Sequence, residues 1–257
     1  MDITPSTRDE RTTWADIRNG VLAGLAILAL LLPPGAPVSH SASQLTASRE
    51  PTPLRQAELG GVDASNDMRH MANWIASSGD HAAMPFVVID KRAARLYVFD
   101  AQARLLDHTA VLLGSAHGDD STPGIGDRAI ADVLPAERTT PAGRFAGQRG
   151  LNALGEDVVW VDYDAAVSMH RVRTTQPKER RLQRLASETV DDNRISYGCI
   201  NIPAAFFDAH IAPTFSAHRA MVYVLPEQKS LQTVFGAQVP EAFHTEQAQG
   251  HLTQMIR

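Results

Sequence analysis

The chain has 257 residues, 44% of them apolar and 21% charged, with a formal net charge of −5. Those proportions suit a globular body with its own core and exclude a collagen-like, wholly disordered or polytopic membrane chain. The acidic balance argues against a general nucleic-acid-binding surface, and the single cysteine, Cys199, excludes an internal disulfide and a cysteine-built zinc site.

The N-terminus carries the first pattern. Residues 21–32 read VLAGLAILALLL, preceded by Arg8, Arg11 and Arg18 and followed by the helix breakers Pro33, Pro34 and Gly35. As a helix this run covers about 18 Å, short of the ~30 Å hydrocarbon core. Small residues follow at Ser39, Ser41 and Ala42. Residues 1–43 therefore read as a signal peptide, with an uncleaved anchor as the alternative. An exported chain is expected, in the periplasm or cell envelope, meeting the membrane only through this segment.

Residues 44–83 read as a linker and a docking helix, because Met68, Met71, Ala72 and Ile75 fall at helical spacing. From Phe86 the pattern turns to strands. FVVID at 86–90 and ARLYVFD at 94–100 predict a hairpin, and LLDHTAVLLG at 105–114 a third strand. A turn-rich segment spans 115–143, with Pro123, Gly124, Gly126, Pro135, Pro141 and Gly143. Further strands are expected at 157–163, 165–170 and 220–227, and helices at 177–188 and 203–211. The acidic pairs Asp119-Asp120 and Asp191-Asp192 read as loop charges. The tail at 228–257 is polar and peripheral. The fold class is mainly β, an antiparallel sandwich or barrel-like body with a few short helices.

One stretch concentrates the chemistry: Ile195-Ser196-Tyr197-Gly198-Cys199-Ile200-Asn201. The cysteine is expected just before a helix start, where the dipole would favour the nucleophilic thiolate. Gly198 lets the chain turn and brings main-chain N–H groups near the sulfur. His170 ends a predicted strand and is the candidate base. The bland alternatives are a buried, inert thiol and a structural histidine.

SYGCIN preceded by VSMH resembles the active-site signature of the YkuD-type L,D-transpeptidase catalytic domain. FVVIDKRAARLYVFD is similar to that family's opening hairpin, and TPAGRF at 140–145 to its glycine- and proline-rich middle. The resemblance spans about residues 84–226, within an expected catalytic domain at 84–227. It implies Cys199 as nucleophile, His170 as base, and Arg171 as the residue whose carbonyl orients the base. It also implies Gly198 and Cys199 as oxyanion-hole donors, with Ser196 and Asn201 at the flanking polar positions. No metal or cofactor is implied; the partner is a peptidoglycan stem peptide, and a monomer is expected.

Two features depart from the family pattern. Tyr197 stands where the signature has histidine. The gap between His170 and Ser196 is 25 residues, longer than usual, and carries seven basic against four acidic residues. This insertion is expected to form a helical flap whose Arg180, Arg181 and Arg184 meet stem carboxylates; a solvated helix is the bland alternative. The activity implied is cleavage of an L,D peptide bond through a thioester, followed by transfer to an amine. The alternatives are resolution by water, hence an L,D-carboxypeptidase or hydrolase, and a catalytically weak murein-binding module.

Overall fold

The structure, a computed structural model, describes residues 55–216 and 219–237. The apolar run at 21–32 and the far end of the tail lie outside the described residues.

Helix α1, Asn66–Ser78, buries Met68, Met71, Ala72, Ile75 and Ala76, the stripe that a 3.6-residue period puts on one face. Ser65 caps it by accepting from the Met68 N–H at 3.1 Å. Gly79, at φ 69°, closes the other end by donating its N–H to the Ile75 carbonyl.

The body is mainly β, with a large sheet that nearly closes into a barrel. Its strands are β1 Phe86–Asp90, β2 Arg95–Phe99, β3 Leu105–Ala110, β5 Gly143–Leu151, β6 Asp157–Asp162, β7 Val167–Arg171, β9 Ile200–Ile202 and β10 Ala220–Val224. Their order is β3-β2-β1-β10-β5-β6-β7-β9, and β4 Leu113–Gly114 pairs separately with β8 Arg194–Ser196. Leu112, just beyond β3, exchanges both backbone hydrogen bonds with Asn201 of β9, at 2.9 and 2.8 Å, and so links the two edges. Strand pairs β1–β10, β7–β9 and β4–β8 are parallel where an all-antiparallel body was expected.

Alternation along β1 explains the two cores. Val87 and Ile89 point into the barrel with Val98, Val159, Met169, Ile200 and Val222. Phe86 and Val88 point outward, beneath α1, with Met71, Ile75, Tyr97 and Tyr223. A strand covered on both faces is apolar throughout, as FVVID is.

Several expectations shift. The single strand expected at 105–114 divides, because Leu112 pairs with Asn201 of β9 instead of with β2. Strand β5 was not foreseen: its exposed polar residues and three glycines, Gly143, Gly147 and Gly150, hide any alternation. A Cβ at Gly147 would run into the Phe215 ring, so that glycine reflects close packing. The helix expected over 177–188 reduces to a 3₁₀ turn, Pro177–Glu179, and the short α2, Arg181–Leu185. Arg180, at φ 48°, separates them. The helical run expected at 203–211 instead continues through Ala212–Thr214. Among the described residues no helix is long and apolar enough to cross a membrane.

Candidate active site

Strand β7 sets the site by its period. Val167 and Met169 face the barrel core, which puts Ser168 and His170 together on the other face. Parallel pairing aligns His170 with Asn201 and Met169 with Ile200, so Cys199 comes up beside Ser168. The Cys199 Sγ lies 3.7 Å from the Ser168 Oγ and 3.6 Å from the Ala166 carbonyl oxygen.

The turn that presents the cysteine is held from both sides. Ser196 Oγ accepts from the Gly198 N–H at 3.1 Å and donates to the Cys199 carbonyl at 2.6 Å. Thr140 Oγ1 donates to the Gly198 carbonyl at 2.8 Å and accepts from the Gly114 N–H at 2.9 Å. Gly198 has φ 129°, and a Cβ there would sit 2.8 Å from the Thr139 carbonyl oxygen. Only glycine fits that backbone at that distance.

His170, Cys199, Ser196, Tyr197 and Asn201 line one cavity of about 300 Å³, together with Arg173, Glu179 and Arg181. His170 Nδ1 lies 2.8 Å from the Arg171 carbonyl. The hydrogen bond assigns the Nδ1 proton to that carbonyl and leaves Nε2 for the sulfur. Burial works against charge on both groups, yet their mutual hydrogen bond and attraction outweigh it. The imidazole is held above its usual 6.5 and the thiol below its usual 9.0. The N–H and hydroxyl of Ser168 add to the lowering of the thiol.

Three site expectations change. Cys199 does not precede a helix: the short strand β9 intervenes, and Pro203 follows it. The thiol is lowered by His170 and Ser168 instead of by a helix dipole. The Gly198 N–H, expected in an oxyanion hole, is already donated to Ser196. Of the three flap arginines only Arg181 lines the cavity. Its Nε donates to Glu179 at 2.6 Å and its Nη1 to the Asn201 side chain. Arg184 is turned to the carbonyls of Glu179 and Asp192, each at 2.9 Å, and Arg180 is exposed outside the cavity.

The remaining assigned residues have clear places. Arg171 points its guanidinium away, to Asp208 and across the Phe207 ring, and contributes its carbonyl to the site. Tyr197 is 40% exposed, and the Arg138 guanidinium stacks 4.0 Å from its ring centre. Asn201 donates from Nδ2 to the Cys199 carbonyl at 3.2 Å. Sequence reasoning missed Ser168 and Arg173. The period-2 spacing from His170 would have pointed to Ser168; no local signal marks Arg173. Among the described residues no cluster of three His, Cys, Asp or Glu could hold a metal ion.

No protein-family model and no curated protein matches this sequence. Solved structures do match in shape. An Enterococcus faecium L,D-transpeptidase, as a cysteine-to-serine variant, shares 14% identity over 55% of this chain and 50% of its own, at a TM-score of 0.31. The helical cell shape determining protein Pgp2 from Campylobacter jejuni shares 16% over 63% and 57%, at 0.38. The catalytic domain of an E. faecium L,D-transpeptidase shares 16% over 55% and 95%, at 0.30. This chain spans about half the length of the first of these relatives, 50% of it. Identities and scores this low carry no weight for the chemistry, which stands on the geometry of Cys199 and His170.

Proposed function

We propose that the protein is an exported cysteine acyltransferase of the cell wall, acting on peptidoglycan tetrapeptide stems. The observation that carries this is a half-buried thiol sharing one open cavity with an imidazole whose other nitrogen is fixed, each shifting the other toward its charged form, with two arginines on the cavity wall.

The chemistry follows from those atoms. The proton of Cys199 passes to His170 Nε2. The thiolate attacks the carbonyl carbon of the L,D bond, an S–C bond forms, and the carbonyl electron pair moves to oxygen. The main-chain N–H of Cys199 meets that oxyanion. The oxyanion collapses, the C–N bond breaks, and His170 returns its proton to the departing D-amino acid. An amine from a second stem then attacks the thioester carbon and gives a proton to His170, the C–S bond breaks as the amide forms, and His170 returns the proton to the sulfur. Arg173 and Arg181 hold stem carboxylates.

The decisive experiment incubates the full chain with disaccharide-tetrapeptide and measures intact mass. The expected result is an acyl adduct on Cys199, absent in Cys199→Ala; no adduct under any condition sinks the proposal. Adding a second stem separates transfer from hydrolysis, because only transfer yields a cross-linked product.

The arginines give a further expectation. Arg173→Gln with Arg181→Gln should lower kcat/KM at least tenfold, about 1.4 kcal/mol, mainly through KM. Arg180→Gln with Arg184→Gln should leave KM within about twofold, a change of roughly 0.4 kcal/mol. Steady-state kinetics on the stem peptide checks both.

A further inference from the structure

Strand β7 carries a hydroxyl that the chemistry above does not use. Ser168 is 5% exposed on a strand whose neighbours Val167 and Met169 are core residues. A buried hydroxyl is costly unless it is hydrogen-bonded. The side-chain bond the structure gives this one is to the Cys199 Sγ, 3.7 Å away, within the longer reach of sulfur. The thiol in turn donates to the Ala166 carbonyl at 3.6 Å. The sulfur thus has a carbonyl on which its hydrogen can rest and, separately, the Ser168 hydroxyl within reach. A sulfur whose hydrogen is on that carbonyl, or that has lost it on ionising, can only accept from Ser168.

We infer that Ser168 is a further catalytic residue: its hydroxyl donates a hydrogen bond to the Cys199 sulfur and holds the ionised sulfur in place for attack. When the proton leaves for His170, the contact with the Ala166 carbonyl changes sign. A thiolate has no hydrogen to donate, and the carbonyl oxygen then opposes it. Ser168, 3.7 Å from the sulfur, is the hydroxyl that then steadies the charge. Other charged or titratable groups face the same cavity: His170 on β7, Arg173, Glu179 and Arg181 on the following segment, and Tyr197 on the cysteine's own turn. His170 favours the thiolate; Arg181 opposes charge on His170, and Glu179, paired to Arg181 at 2.6 Å, partly cancels that arginine. Ser168 needs no charge of its own to donate, so its effect on the rate shows where the thiol is only partly ionised.

Because the chain has one cysteine, iodoacetamide labelling followed by intact mass reads this thiol alone. Labelling needs no stem peptide, so its outcome is independent of the acyl-transfer proposal on which the catalytic role rests. Ser168→Ala is expected to label about tenfold more slowly near pH 6. At a pH where the thiol is fully ionised, its rate should match the unaltered chain within about twofold, since a less stabilised thiolate is the better nucleophile. Ser168→Thr, which keeps a hydroxyl, should restore most of the acid-side rate. Ser168→Gly offers a second hydroxyl-free variant if alanine perturbs folding, as a thermal melt would show. An unchanged pH profile in Ser168→Ala overturns the inference. So does a threonine variant as slow as alanine, which would make the residue a matter of packing.

Discussion

Replacing His170 with glutamine will slow acylation of Cys199 by about 10³-fold, the usual cost of losing a positioned acid–base group. Glutamine still presents an N–H toward the Arg171 carbonyl, so the strand should stay in place. What disappears is the proton acceptor on the sulfur side and the positive charge that lowers the thiol. The pH profile should change in a defined way. In the unaltered protein the rate falls toward acid as the thiolate is protonated, below the ordinary 9.0 of a thiol. It falls toward alkali as the imidazolium is lost, above the ordinary 6.5 of histidine. The pair titrates together, so the two limbs belong to both groups. In His170→Gln the alkaline limb should vanish, and the residual rate should climb with pH as an unassisted thiol ionises. A variant that keeps a bell-shaped profile would show that another group serves as base.

The sequence made some of this site legible and hid the rest for physical reasons. The hairpin at 86–99 reads directly because both its strands are long and apolar. His170 was legible because it ends β7, a five-residue strand, whereas the strands beside the cysteine, β8 and β9, have three residues each, too short for a periodic signal, so the cysteine turn was marked by its residue types and motif instead. That shortness also explains why Cys199 was expected at a helix start. The flap helix failed because its backbone turns left-handed at Arg180, a residue with no local sign of doing so. The largest omission is Asp119, taken as a loop charge. It is 5% exposed, and what buries it comes from residues 91 and 227–229, separations no local pattern can report.

Replacing that residue's partner, Lys91, with methionine should destabilise the fold by about 3–5 kcal/mol, because it leaves buried charge without its counter-ion. Lys91 is fully buried and donates to Asp119 at 2.8 Å, to the Gly118 carbonyl at 2.5 Å and to the Thr140 carbonyl at 2.9 Å. Asp119 also accepts from the N–H groups of Glu227, Gln228 and Lys229, and Arg194 Nη2 donates to Glu227 at 2.5 Å. Burial alone would raise the Asp119 carboxyl; Lys91 and those three N–H groups instead lower it from 3.8 to about 2. A depressed carboxyl stabilises the fold above its unfolded value and loses that contribution as pH falls toward the folded one. The unaltered protein should therefore lose about 2 kcal/mol between roughly pH 5 and pH 2 through this group. Lys91→Met should be less stable at pH 7 and show a shallower loss over the acid window. Denaturant melts across that range measure both, and an acid dependence equal to that of the unaltered protein would exclude the network as its source. The consequence reaches the nucleophile. Lys91 binds the carbonyl of Thr140, whose hydroxyl holds Gly198, and Arg194 opens the strand that leads into the cysteine turn. The charge buried at position 91 thus anchors the turn-rich 115–143 segment and the 194–199 turn to one point. The folded fraction of Lys91→Met should accordingly label Cys199 with a displaced pH profile, even where enough denaturation-resistant protein remains to measure it.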